Sequence, residues 1–238
     1  MYPSNAEIQV LNSAEKLMEK TMHSYDSSHD KHHVQRVRRT ALALANSLPE
    51  KPDMLVVELS ALLHDVLDKK YVSLDVASDP FSFFLPFFES VKSHVDLVVT
   101  GQAALVAKIV ENVSWSTENM LRADGKITEW HKTCFELHCV QDADRLDAIG
   151  AFGGLHIHCY ISISRPLHAS NDDSHSGETA VAHFHDKLLK IKDRLKTESG
   201  KKLGEERHSL MLNFLGALDK EYGYGDKLHD SLRSKEGI

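Results

Sequence analysis

Residues 55–63 read LVVELSALL, a nearly unbroken apolar run that ends on the dipeptide His64-Asp65, with Asp68 and Lys69 just behind. Val56, Leu59 and Leu63 recur at helical spacing, so the run predicts a helix with one buried face. Such a helix carries a carboxylate toward the core, which is costly unless a cation faces it. Asp65 is therefore expected to have a cationic partner. An imidazole nitrogen beside a carboxylate oxygen suits a borderline divalent metal.

The other segments can be arranged around that helix. Helical periodicity runs over Asn5–His23, Lys31–Leu48 (ended by Pro49 and Pro52), Met54–Val66, Ser93–Val113, Lys132–Ile149, Val181–Leu195 and Glu205–Tyr222. Asp79-Pro80 signals a turn before an aromatic cluster of Phe81, Phe83, Phe84, Phe87 and Phe88. The cluster reads as a helix or loop packed on the core, with a wall or lid of a base-binding pocket as the alternative. Residues 114–128 are polar and contain the turn signal Asp124-Gly125, and residues 165–179 read as a polar loop. LHIHCYISI, residues 155–163, is the one strand-like run. The expectation is an all-α chain forming a single domain over residues 1–238, with a core at about 24–222 and a polar C-terminal tail from about 223.

Composition narrows the function. A chain of 238 residues with 42% hydrophobic and 26% charged residues can bury a core and is ordinary for a globular protein. The net charge of -7 argues against a general nucleic-acid binder, while one local basic pocket still suffices for a small phosphate substrate. Cys134, Cys139 and Cys159 form neither a CxxC pair nor an even framework and read as reduced thiols. The start of the chain lacks a basic-then-apolar leader, and FSFFLPFF is too short to span a bilayer and is interrupted by Pro86. A cytoplasmic location without membrane association is the default, the nucleus being the alternative.

Two further sets of ligand-type residues stand out. His29, His32 and His33 crowd the start of a helix in HDKHHVQRV, where His33 shares a stripe with Val37. VQDADRLDAIGAFG places Asp142, Asp144 and Asp147 in an otherwise apolar helix, too hydrophobic for a solvated face. Asp142 with Arg145 at i+3 also fits a plain surface ion pair, worth little. Gly150, Gly153 and Gly154 fit a helix C-cap and turn better than a phosphate cradle, since no strand precedes them.

Histidine, a distant His-Asp doublet and a distant Asp, all on helices, resemble the HD superfamily of metal-dependent phosphohydrolases. The motifs are similar to one bacterial-type branch: HDKHHVQRV to HDxxHxxRV, ALLHDVLDKK to ALLHDxxDxK, and VQDADRLDAIGAFGG to VQDADRLDAIGAxG. The C-terminal AHFHDKLLKIKDRLKT also resembles that branch, although His185 and Asp186 stand where its pattern has Tyr and Glu. The resemblance implies that His33, His64, Asp65 and Asp142 hold a divalent ion, Mn²⁺ or Mg²⁺ first, with Fe²⁺, Co²⁺ or Zn²⁺ as alternatives. It implies catalytic roles for Asp68, Lys69 and Glu111, with Asn112 beside the last. Substrate contacts would come from Arg36, Lys69 and Arg145, with His183, Lys187 and Arg207 of the terminal motif as weaker candidates. His29, Asp30 and Asp147 would orient the ligands. Packing or internal ion pairs remain the alternative for Arg36, Arg145 and Asp147. The implied activity is pyrophosphohydrolysis of (deoxy)nucleoside triphosphates by a metal-activated water. The alternatives are a 5′-nucleotidase acting on monophosphates and a nucleotide-binding HD module without turnover. The partner implied is a small nucleotide rather than nucleic acid or membrane, with a homodimer left open.

Overall fold

The computed structural model describes residues 2–23, 31–68, 71–153 and 179–236. The described residues form helices α1 (Asn5–Met22), α2 (Lys31–Ser47), α3 (Met54–Leu63), α4 (Leu74–Ala77), α5 (Pro80–Ser90), α6 (Gln102–Asn112), α7 (Trp115–Ala123), α8 (Glu129–Thr133), α9 (Phe135–Asp147), α10 (Ala180–Asp186) and α11 (Glu198–Glu236). No strand occurs among them, so the fold is all-α, consistent with an HD domain. The strand-like run at 155–163 lies outside the described residues. Among those residues, no helix is long and apolar enough to cross a membrane.

The chain divides into two compact units, residues 1–147 with 195–201, and residues 148–194 with 202–238. In the first, α3 is the central element. All nine residues from Leu55 to Leu63 are buried, not one face of them, because α1, α2, α6 and α9 pack around it. Its start is fixed by Asp53, whose carboxylate accepts from the backbone N–H of Leu55 (3.1 Å) and Val56 (3.2 Å). The two polar residues in the run divide differently. Glu58 is satisfied by Arg38, whose Nε donates to it at 2.7 Å, and by the Tyr2 hydroxyl. Among the described residues, Ser60 Oγ has no hydrogen-bond partner. Helix α2 buries Val34, Val37, Ala41, Leu44 and Ala45, the stripe its sequence marks, against α3 and α9.

Three stretches depart from the periodicity. Ser93–Val113 is not one helix: turns run to Gly101, which has φ +81, and only then does α6 begin. A left-handed residue cannot continue a right-handed helix, and glycine takes that conformation without a Cβ clash. Lys132–Ile149 breaks at Cys134, which is extended (ψ 100) and closes α8 by donating its N–H to Trp130. The polar stretch after Ser114 is mostly helix, since Ser114 Oγ caps α7 by accepting from Thr117 N at 3.1 Å. Its Asp124-Gly125 pair ends that helix with Gly125 at φ +66. The aromatic cluster falls on α5, started by Asp79 and Pro80. Phe84, Phe87 and Phe88 are buried, and α5 packs on α6 and α1.

In the second unit, α10 is shorter than the predicted helix and gives way to two 3₁₀ turns, Leu188–Lys190 and Lys192–Arg194. Phe184 on α10 meets Phe214 on α11 with ring centroids 6.0 Å apart. Lys192 pairs with Glu205 at 3.0 Å. Helix α11 continues past Tyr222 to Glu236 through a proline-free sequence, where the polar composition predicted a tail.

Candidate metal centre

His33 sits in the first turn of α2, His64 and Asp65 directly follow α3, and Asp144 lies on α9. Packing of these helices brings their polar atoms to one point. His33 Nε2 is 3.3 Å from His64 Nε2, 3.4 Å from Asp65 and 3.6 Å from Asp144. His64 Nε2 is 3.4 Å from Asp65 and 3.9 Å from Asp144. Donor atoms bound to one ion at about 2.1 Å lie about 3.0–3.4 Å apart, so the cluster needs only a slight contraction to enclose one.

Hydrogen bonds behind the cluster fix both rings. His64 Nδ1–H donates to the carbonyl of Ala61 at 2.8 Å, which turns the Nε2 lone pair toward the cluster. His33 Nδ1 meets Asp147 at 2.7 Å, and Arg36 forks onto the same carboxylate through Nε (2.8 Å) and a terminal nitrogen (2.9 Å). A ligand imidazole held through its other nitrogen by a carboxylate is the usual device for setting tautomer and basicity. Burial pushes the pKa of His33 down, but hydrogen bonds to Asp147 and Asp65, with the charges of Asp65 and Asp144, outweigh it and lift it to about 10. So many carboxylates around two imidazoles call for positive charge. With two nitrogens, two carboxylates and no thiolate, the donor set fits a divalent ion.

The aspartate of α9 that joins the cluster differs from the sequence reading. Asp142 is fully buried, and its carboxylate accepts from the backbone N–H of Lys196 (2.9 and 3.0 Å), the N–H of Thr197 (2.7 Å) and Thr197 Oγ1 (2.8 Å). Burial pushes its pKa up, against those hydrogen bonds, which favour the charged form. Successive helical residues turn by about 100°, so Asp142 and Asp144 point in nearly opposite directions. Asp144 shares a face with Asp147 at i+3, the residue that braces His33. Asp142 instead fastens the start of α11 to α9. Gly200 leaves room for that bond, since a Cβ there would meet Asp142 Oδ2 at 2.5 Å and Thr197 Oγ1 at 2.6 Å. Gly200→Ala is expected to lower stability by about 1–3 kcal/mol in urea unfolding, through overpacking of a buried polar contact.

Asp68 and Glu111 line one cleft of about 250 Å³ with His64, Asp65 and Asp144. Ala77, Pro80, Ser114, Ser116 and Thr117 add to its wall beside the apolar Leu67, Val110 and Val113, and none of the phenylalanines of α5 lines it. Arg36 and Arg145 were expected to bind substrate, but neither lines the cleft. Arg36 is committed to Asp147, and the buried Arg145 donates to Glu118 at 2.5 Å. Glu118 also takes the exposed Arg122 (2.6 Å) and Lys196 (3.2 Å), a network around a buried carboxylate that no sequence motif announced. Its carboxyl pKa is raised by burial, yet Arg122 and Arg145 bring it down to about 2. His183 lies on α10 and Lys187 is its C-cap, both in the second unit with Arg207. His29, Asp30, Lys69 and Cys159 lie outside the described residues. The two described cysteines are free and buried, which pushes the Cys134 thiol up to about 11 and that of Cys139 up to about 12.

An all-α fold in which two imidazoles and two carboxylates converge beside a cleft is consistent with an HD-type protein. A protein from Bacillus thuringiensis described as an HD-superfamily hydrolase shares the fold, with TM-score 0.67 and 25% identity over 91% of this chain and 98% of its own. YpgQ of Bacillus subtilis (strain 168), an uncharacterized protein, is 36% identical over 202 residues, 82% of this chain and 85% of that one. The chain belongs to the YpgQ family. The crystal structure of YpgQ in complex with ADP has the same fold, with TM-score 0.62 and 24% identity over 91% of this chain and 96% of that one. No protein-family model matches the chain.

Proposed function

We propose that this protein is a metal-dependent phosphohydrolase acting on nucleotides, and that its reaction is removal of pyrophosphate from (deoxy)nucleoside triphosphates. The observation that carries this reading is the convergence of His33, His64, Asp65 and Asp144, with both Nε2 atoms turned inward by their second-nitrogen contacts. These four would hold the ion, Mn²⁺ or Mg²⁺ being the first choice for this donor set. A divalent ion there supplies Lewis acidity, lowering the pKa of water and polarising a phosphoryl oxygen. The cleft itself is acidic, lined by Asp65, Asp68, Glu111 and Asp144. A nucleotide's phosphates can enter it only against neutralising charge, so the reading requires turnover to be strictly metal-dependent.

The chain's own groups then divide the work. Asp68 and Glu111 are the carboxylates beside the cluster that can take the proton of an attacking water. The hydroxyls of Ser114, Ser116 and Thr117 can donate to phosphate or sugar oxygens. Lys69, His183 and Lys187 remain candidate phosphate contacts on sequence resemblance. Nucleotide rather than another phosphate is supported by the ADP complex of YpgQ.

The test is turnover by purified protein with Mn²⁺ against ribo- and deoxynucleoside tri-, di- and monophosphates, detecting pyrophosphate and orthophosphate separately, with Asp65→Ala as control. Pyrophosphate released from triphosphates, and lost in the variant and with chelator, is the expected result. Orthophosphate from monophosphates alone would replace it with a 5′-nucleotidase. Metal-dependent nucleotide binding without turnover would leave a binding module.

A further inference from the structure

A second cavity, of about 310 Å³, lies apart from the cluster, among α6, α7, α8, α9 and the start of α11. None of the residues lining it lines the cleft beside the cluster. Arg122, Lys132, Lys196 and Lys201 carry positive charge in its wall, and Glu118 is the one carboxylate among the lining residues. Two of the cations are answered at the rim by groups outside the wall: Lys132 by Glu129 (3.6 Å) and Lys201 by Glu198 (2.7 Å), both exposed pairs that contribute little. Deeper in, Lys196 and the buried Arg145 share Glu118, and Arg122 reaches the same carboxylate from the exposed side. Lys196 Nζ, with a mostly covered side chain, otherwise donates to the neutral Gln141 Oε1 at 2.5 Å.

Two histidines in the wall are held by internal hydrogen bonds and add no charge. His131 Nδ1 accepts from Thr128 N (3.1 Å), which leaves Nε2–H facing Asn112. His138 Nε2–H donates to the carbonyl of His131 at 2.9 Å. Burial holds both below the ordinary imidazole pKa, and the nearby lysines act in the same direction. The remaining wall is apolar, from Leu121, Ile127 and Leu195. Excess cations on one side and aliphatic side chains on the other suit a molecule with an anionic head and a small organic body. A phosphate monoester carries about -1.5 to -2 at neutral pH and offers three acceptor oxygens.

We propose that this cavity is a second ligand site, separate from the metal centre, that binds a small organic phosphate monoester through Lys196 and Arg122, with Lys132 and Lys201 guiding it at the rim. The inference does not rest on the phosphohydrolase reading. It is tested by calorimetric titration of AMP into chelator-treated protein, where the metal centre cannot recruit phosphate. Binding is expected in both the wild-type protein and Asp65→Ala. It should fall at least tenfold in Lys196→Met and return toward wild type in Lys196→Arg. The exposed double variant Lys132→Glu/Lys201→Glu, which touches no buried group, should also weaken it and steepen the loss with salt. No binding in chelator, binding lost in Asp65→Ala, or binding indifferent to both sets of lysine variants would overturn the proposal.

Discussion

Asp144→Asn is expected to lower Mn²⁺ affinity by more than about 100-fold and to abolish metal-dependent turnover, with little change in melting temperature. Even residues that only support a metal ligand change affinity by about 10–100-fold, and Asp144 stands in the proposed ligand set itself, partly open to the cleft. Asp142→Ala should do the reverse. It strips the acceptor from the N–H groups of Lys196 and Thr197 and from Thr197 Oγ1. A buried donor left unsatisfied costs about 1–3 kcal/mol, so a loss of about 3 kcal/mol or more is expected. At this chain length that lowers the melting temperature by about 6–12 °C. Isothermal metal titration and thermal melting on the two variants separate the roles. If Asp142→Ala loses metal while keeping its melting temperature, the assignment of Asp144 to the cluster fails.

The second large effect centres on Glu118. It is buried and holds Arg122, Arg145 and Lys196, and removing one partner from a buried ion pair costs about 3–5 kcal/mol. Glu118→Gln should therefore unfold at markedly lower urea concentration at pH 7. The pH dependence has a definite sign. The folded carboxyl titrates near 2, below its ordinary 4.5, so its contribution is complete above about pH 4.5 and is lost as pH falls through about 2. Urea midpoints at pH 7, 4 and 3 should show the wild type losing its advantage over Glu118→Gln as the pH drops. A constant gap across that range would remove Glu118 from the explanation.

Much of this protein is determined by sequence alone. The apolar stripe of α2, the run through α3 and the cap at Asp53 are local properties, set by side-chain spacing and the unpaired N–H groups of a helix start. The HxxR, His-Asp and Asp-rich motifs mark three helix segments that supply the cluster, because ligand chemistry requires imidazole and carboxylate wherever the helices meet. Tertiary structure decided the rest. Which aspartate of α9 faces the two histidines depends on that helix's rotation against α2 and α3, and two residues of sequence separation reverse the face. Arg36 and Arg145 read equally well as phosphate contacts or braces until packing put a carboxylate against each. The cavity around Lys196 gathers residues from α6, α7, α8, α9 and the start of α11, separated by up to 89 positions from Asn112 to Lys201. No local pattern encodes it, because its charge balance exists only once those helices are packed.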